Sequence, residues 1–134
     1  VSCLHTTNAV STIERLVAFF PSSQHELVRL RVSLVLRGIV SLRLLLRSDG
    51  AGRIPACEDL VMTPTVREFI RSGRVEQVPS AIHDGAMYGM QTFTQALYQC
   101  YRQGEVDLEE ALRYADNPEE LQLAVREIRA TRDV

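Results

Sequence analysis

Apolar and polar positions alternate with changing period along this chain, and each change of period marks an element. Val10, Ile13, Leu16, Val17 and Phe20 recur at three- and four-residue spacing after Asn8, a residue type that caps helix starts. The pattern predicts a helix from residue 9 that Phe20-Pro21 stops. Ser23 and Glu26 stand at capping-box spacing ahead of a strongly apolar helix reaching Leu36, with Gly38 placed for a left-handed cap. The runs "IVSLRLLLR" (39–47) and "RIPACEDLVM" (53–62) flank "SDGAG", whose Asp49-Gly50 pair predicts a hairpin. Pro55 lacks an N–H and belongs at a sheet edge or a strand start. Val1–Leu4 reads as a short strand, central in its sheet, that ends at His5.

From Thr63 onward the period is helical. Thr63-Pro64 supplies an N-cap and first helical residue for "TVREFIRS", which Gly73 closes. "VPSAIHDG" predicts a short helix ending at Gly85, and Phe93, Ala96, Leu97, Cys100 and Tyr101 form one apolar stripe ending at Gly104. Asp107 with Glu110, and Asn117-Pro118 with Glu120, start two more short helices. The fold class expected is therefore α/β over residues 1–62, a strand, helices and a β-hairpin, followed by an all-α helical bundle over 63–134. A lone strand and one hairpin are too little to make a covered sheet, so the first part reads as incomplete.

Composition narrows the function. With 134 residues, 46% hydrophobic and 24% charged, the chain has the balance of a globular domain. No apolar run reaches the roughly 20 residues of a membrane span. Residues 1–67 carry eight Arg against five acids, net +3, and residues 68–134 carry seven Arg against twelve acids, net −5. An anionic ligand thus belongs in the first half, and nucleic-acid binding by the second is disfavoured. All fifteen basic residues are Arg. Without Lys the chain holds no Walker A loop, whose Lys reaches the β- and γ-phosphates. Cys3, Cys57 and Cys100 have no CxxC spacing and read as small buried hydrophobes in a reducing compartment.

His5 is the residue with most chemical promise. At the carboxyl end of a strand, with Thr6, Thr7 and the N–H groups of the next helix beside it, it can meet a phosphate. The competing reading, favoured by spacing alone, is a strand-end histidine bonded to a backbone carbonyl. Cys3 and His5 lack a second ligand pair, so no metal site is expected; His25 and His83 read as solvent-facing helix residues, and no GxSxG elbow supports nucleophilic hydrolysis. Arg29, Arg31, Arg37, Arg43, Arg47 and Arg53 read equally as phosphate or subunit contacts and as snorkelling side chains.

Several stretches together resemble one family. "CLHTTNAVSTIERLVAFFP" is similar to the end of the histidine box of secretion-type ATPases and the helix after it. "LVLRGIVSLRLLLRSDGAGRIPACEDLVMTPTVREFI" resembles the hairpin and following helix of twitching-motility ATPases, and "GMQTFTQALYQCYRQGEVDLEEAL" their C-terminal helical region. The family is the type IV pilus retraction ATPases, PilT and its paralogue PilU, and the resemblance runs over essentially the whole chain. It implies a cytoplasmic homo-hexamer at the inner face of the inner membrane, with a RecA-like P-loop core that hydrolyses ATP with Mg to drive pilus disassembly. The implied partners are pilus platform proteins and related ATPase paralogues.

Carried onto this sequence, the resemblance makes His5 the second histidine of the box, approaching the γ-phosphate, with Thr6 beside it. Thr65, Val66, Arg67, Glu68, Phe69 and Ile70 fall on the AIRNLI motif implied in retraction; Val66, Arg67 and Ile70 fit, and Thr65, Glu68 and Phe69 depart. Cys3 stands where the family has Thr, and Asp59 replaces an apolar residue, which implies altered strand packing. "GMQTFTQALYQ" and "NPEELQL" lean toward the PilU-like paralogue. On this reading the chain is the C-terminal portion of such an ATPase, inactive alone. The PAS-like domain, P-loop, acidic box, Walker B strand and first box histidine would lie upstream. The alternative is a non-enzymatic helical adaptor derived from the same fold.

Overall fold

A computed structural model describes residues 1–132 of the chain. Helix α1 (Ala9–Ala18) begins where its pattern predicts: Asn8 is extended and its side chain accepts the Ser11 N–H, while the Ser11 side chain answers the Asn8 N–H. A single 3₁₀ turn at Ser22–Gln24 precedes α2 (His25–Val35). This turn replaces the expected Ser23–Glu26 capping box. The chain is already wound from Ser22, after an extended Pro21, so Ser23 is not at a helix start and no side chain caps α2.

The hairpin forms as predicted, from β1 (Gly38–Leu46) and β2 (Arg53–Val61) in antiparallel order. Its bonds at the two ends, Met62 N–H to Arg37 C=O and Arg47 N–H to Gly52 C=O, share one register with no net bulge. Ile39 thus faces Leu60, Ser41 faces Glu58, Arg43 faces Ala56 and Leu45 faces Ile54, all pointing inward. The same register puts the ring nitrogen of Pro55 on the outer edge of β2, where a missing donor removes no ladder bond. Asp49 shapes the connecting loop: its carboxylate accepts the Ala51 N–H at 2.8 Å and pairs with Arg47 at 3.1 Å. The Arg47 hydrogen bond holds the Asp49 carboxyl below its ordinary pKa. Gly50 and Gly52, at φ +70 and +110, take the left-handed turns that residues with a Cβ resist.

Gly38 serves a different purpose from the one its position suggests. Helix α2 ends at an extended Leu36, and Gly38 has no positive φ. A Cβ there would lie 2.7 Å from the Leu60 carbonyl oxygen, so glycine lets the two strands approach at the mouth of the hairpin. Val1–Leu4 likewise forms no strand. A strand needs a neighbour to bond its N–H and C=O groups, and residues 1–6 find none among the described residues.

Helix α3 (Pro64–Arg71) starts on Thr63, whose Oγ1 accepts the Val66 N–H at 3.3 Å, and α4 (Val78–Asp84) follows. Next come α5 (Phe93–Arg102), α6 (Leu108–Arg113) and α7 (Pro118–Arg132), the last longer than its short cap signal suggests. The chain divides into two compact units: Val1–Ser41 with Glu58–Thr92, and Leu42–Cys57 with Phe93 onward. The first packs Ala9, Ile13, Ile39, Leu60, Met62, Val66, Ile70, Val78, Ile82 and Met90 together. In the second, Leu45 and Ala56 join Ala96, Leu97, Cys100, Val106, Ala111 and Leu121. Each fully buried Ile or Leu in these clusters contributes about 1.5–3 kcal/mol. The outer face of β1 is apolar and open: Val40, Leu42, Leu44 and Leu46 are 45–72% exposed. Among the described residues no helix is long and apolar enough to cross a membrane.

Gly38→Ala tests the strand contact. The added methyl has a backbone oxygen in its place and should lower stability by about 1–3 kcal/mol, read as a lower denaturant midpoint at unchanged slope.

Candidate functional site

His5 sits three residues before the cap of α1, and its imidazole is exposed. Among the described residues it forms no hydrogen bond or ion pair, so the backbone-carbonyl bond of a purely structural histidine is not made. The segment that follows is tightly held. The Thr6 and Thr12 hydroxyls lie 2.6 Å apart, and the Ser11 hydroxyl accepts the N–H groups of Thr7 and Asn8 at 3.2 and 3.0 Å.

Another tie comes from the other side of the unit. The Ala9 N–H donates to Glu58 Oε1 at 2.9 Å, and Glu58 is only 8% exposed on the inner face of β2. A helix start carries unpaired N–H groups and partial positive charge, so a buried carboxylate is stabilised there. The N–H groups of Ala9 and Ser11 are thereby committed within the chain, to Glu58 and Asn8. A phosphate near His5 would meet side chains rather than these amides. Glu58 escaped the motif search, yet its position carried a signal. Inward alternation through Ala56, Glu58 and Leu60 puts an acid in a core register, which requires a specific partner.

The six arginines singled out in the basic half go to different places. Arg43 lies over the Phe93 ring at 3.7 Å and donates to the Tyr114 carbonyl and to Asp116 Oδ1, the latter at 2.7 Å. Arg47 serves the hairpin loop. Arg29 is half-buried beside Gly73, and its Nε has no hydrogen-bond partner among the described residues. Arg31, Arg37 and Arg53 are exposed.

Residues 65–70 divide by face. Val66 and Ile70 are completely buried, while Thr65 and Glu68 point outward. Arg67 donates through Nη1 to the Ser33 carbonyl in the last turn of α2, satisfying an acceptor that a helix end leaves open. Glu68 pairs with Arg71 at 2.8 Å, and Arg74 lies over the half-buried Phe69 ring at 5.4 Å. Asp59, the departure in β2, bonds Gln91 through both backbones and accepts its side-chain amide at 3.2 Å. Those bonds account for a polar residue at that register.

Of the cysteines only Cys100 is buried as expected, and burial pushes its thiol pKa up; Cys57 is half-buried and Cys3 exposed. Cys3 lies in the irregular segment before α1, where nothing covers it. His83 is exposed, whereas His25 is half-buried with Nε2 2.7 Å from the Phe20 carbonyl oxygen. Among the described residues no group of three His, Cys, Asp or Glu side chains is placed to hold a metal ion.

The chain's fold matches that of a solved pilus ATPase. The solved structure of the pilus retraction motor PilT with bound ADP matches 89% of this chain at a TM-score of 0.76 and 40% identity, covering 33% of that chain. The type IV pilus ATPase PilU of Pseudomonas aeruginosa is 40% identical over 126 residues, 94% of this chain and 33% of that protein. The type IV pilus retraction ATPase PilT of the same organism is 38% identical over 116 residues, 87% of this chain and again 33% of that protein. No family model matches. The chain spans about a third of the length of the curated relatives it matches. Over that stretch it belongs to the type IV pilus retraction ATPase family.

Arg67→Ala should loosen α3 from α2 by removing a charged donor from a helix-end carbonyl. The expected loss is about 1–2 kcal/mol by denaturant unfolding, and Arg67→Lys should recover part of it.

Proposed function

We propose that this chain is the C-terminal part of a hexameric ATPase that powers type IV pilus retraction and twitching motility, and that His5 serves the nucleotide. The observation that carries the reading is the agreement with the PilT motor structure over 89% of the chain at 40% identity, in a protein solved with ADP bound. Residues 1–62 would complete a RecA-like core and residues 63–134 the helical region that passes movement on. The compact units cut across that division because the hairpin contributes to both.

The chain's own residues fit part of a Mg-ATP site. His5 is exposed and free to donate to or accept from a phosphate, and the anchored Thr6–Asn8 segment restricts where it can point. The chain has no Lys, and its helix-start amides at Ala9 and Ser11 are engaged. The phosphate cradle, the Mg ligands and the carboxylate that orients water must therefore come from residues beyond this stretch. Bound Mg would neutralise charge developing on the phosphates. His5 would stabilise the γ-phosphate from the segment that precedes α1 and register its loss after hydrolysis. The outward residues Thr65 and Glu68 of α3 would face the pilus machinery, with platform proteins and ATPase paralogues as partners on the cytoplasmic face of the inner membrane. The engaged helix-start amides favour the second reading, a helical adaptor of the same fold that binds no nucleotide.

ATP hydrolysis by the longer protein with its natural flanking sequence separates the two. His5→Ala should lower kcat about tenfold or more while hexamers persist. Unchanged hydrolysis would remove the nucleotide role of His5, and no hydrolysis by the unaltered protein would favour the adaptor.

A further inference from the structure

The bond between Glu58 and the Ala9 N–H joins residues 49 apart in sequence and ties the start of α1, just after the His5 segment, to the inner face of β2. The bonds of Thr6 to Thr12 and of Thr7 and Asn8 to Ser11 are local: Thr12 and Ser11 belong to α1 itself, so these bonds shape the segment without fixing where α1 begins relative to β2. Ala9 is completely buried, and Glu58 is nearly so. Water therefore offers little substitute for either partner, and losing one leaves the other unsatisfied.

From this we infer that Glu58 is a positioning residue: by holding the first N–H of α1 it sets where His5 stands. The inference rests on the reading of His5 as a nucleotide-facing group. The chemistry suits the task. A carboxylate at a helix start is favoured by the helix dipole and accepts the backbone N–H strongly, which stiffens the joint. It also keeps an anionic ligand from settling on the helix end, which leaves the exposed imidazole as the group of this segment that meets phosphate. Glu58 touches no substrate; its effect passes through four residues of backbone.

The test uses the longer protein with Glu58→Gln, Glu58→Ala, His5→Ala and the Glu58→Ala/His5→Ala pair. Amide exchange is followed over residues 5–12, and ATP hydrolysis is followed as kcat and KM. Glu58→Ala should speed Ala9 exchange about tenfold, whereas Glu58→Gln, whose side-chain oxygen still accepts, should stay near the unaltered protein. Glu58→Ala should lower kcat severalfold with His5 present and change it little in the His5→Ala background, since one residue acts through the other. Unchanged Ala9 exchange in Glu58→Ala, or an equal loss of kcat in both backgrounds, overturns the inference. If Glu58→Ala does not fold, Glu58→Asp withdraws the carboxylate by one methylene. It must then quicken Ala9 exchange and lower kcat only with His5 present, or the inference falls. Absence of hydrolysis by the unaltered protein is a different failure: it sinks the nucleotide reading itself, whatever Ala9 exchange shows.

Discussion

Strand pairing in the hairpin is the constraint on which the rest depends. One register, closed at Arg37 with Met62 and at Arg47 with Gly52, decides which side chains of both strands turn inward. A slip by one residue would exchange the faces of a strand, taking Leu60 and Glu58 out of the interior and putting Asp59 and Val61 in their place. Two hydrophobic clusters draw on this pairing, one through Ile39 and Leu60 and the other through Leu45 and Ala56. The placement of Glu58 under α1 follows from the same alternation. Gly38 and the loop glycines protect the register at its two ends, the first by permitting close approach and the others by turning the chain.

Local chemistry made much of this legible in advance. Asn8, Thr63 and Asn117 each cap the helix their spacing announced, because an N-cap acts within three residues and needs nothing from the rest of the fold. The hairpin was readable for the same reason: β-branched and apolar runs on either side of Asp49-Gly50 specify their own turn. Where expectation failed, the deciding partner was distant or missing. Ser23 has the residue type of a cap, but the chain winds one residue earlier, after Pro21. Gly38 was read as a helix terminator, whereas the atom that demands glycine belongs to Leu60. Val1–Leu4 has strand-like side chains without a neighbour to bond.

The candidate site divides along the same line. His5 was found from its place at the end of an apolar run, and the motif at 65–70 from resemblance, since both leave marks in consecutive residues. Glu58 left only its inward place in the strand alternation, which does not name its partner, a backbone amide 49 positions away. The arginines illustrate the limit most clearly. Arg43 carries the charge expected of a phosphate ligand, yet it lies on an aromatic ring and against Asp116, while Arg67 of the 65–70 motif closes a helix end. Net charge in a half of the chain predicts a field, and only three-dimensional placement shows which cations remain to create it.

The contact at Ala9 also bears on how this position varies among relatives. Proline is ordinarily welcome as the first residue of a helix, because the N–H it lacks would be unpaired there. Here that N–H is spoken for by Glu58. Position 9 should therefore accept other small side chains that suit a buried site and refuse the one residue helix statistics would recommend. Glu58, answering a main-chain group, should show no side-chain covariation with position 9. Their connection would be written in a sequence family only as a missing proline opposite a persistent glutamate or glutamine.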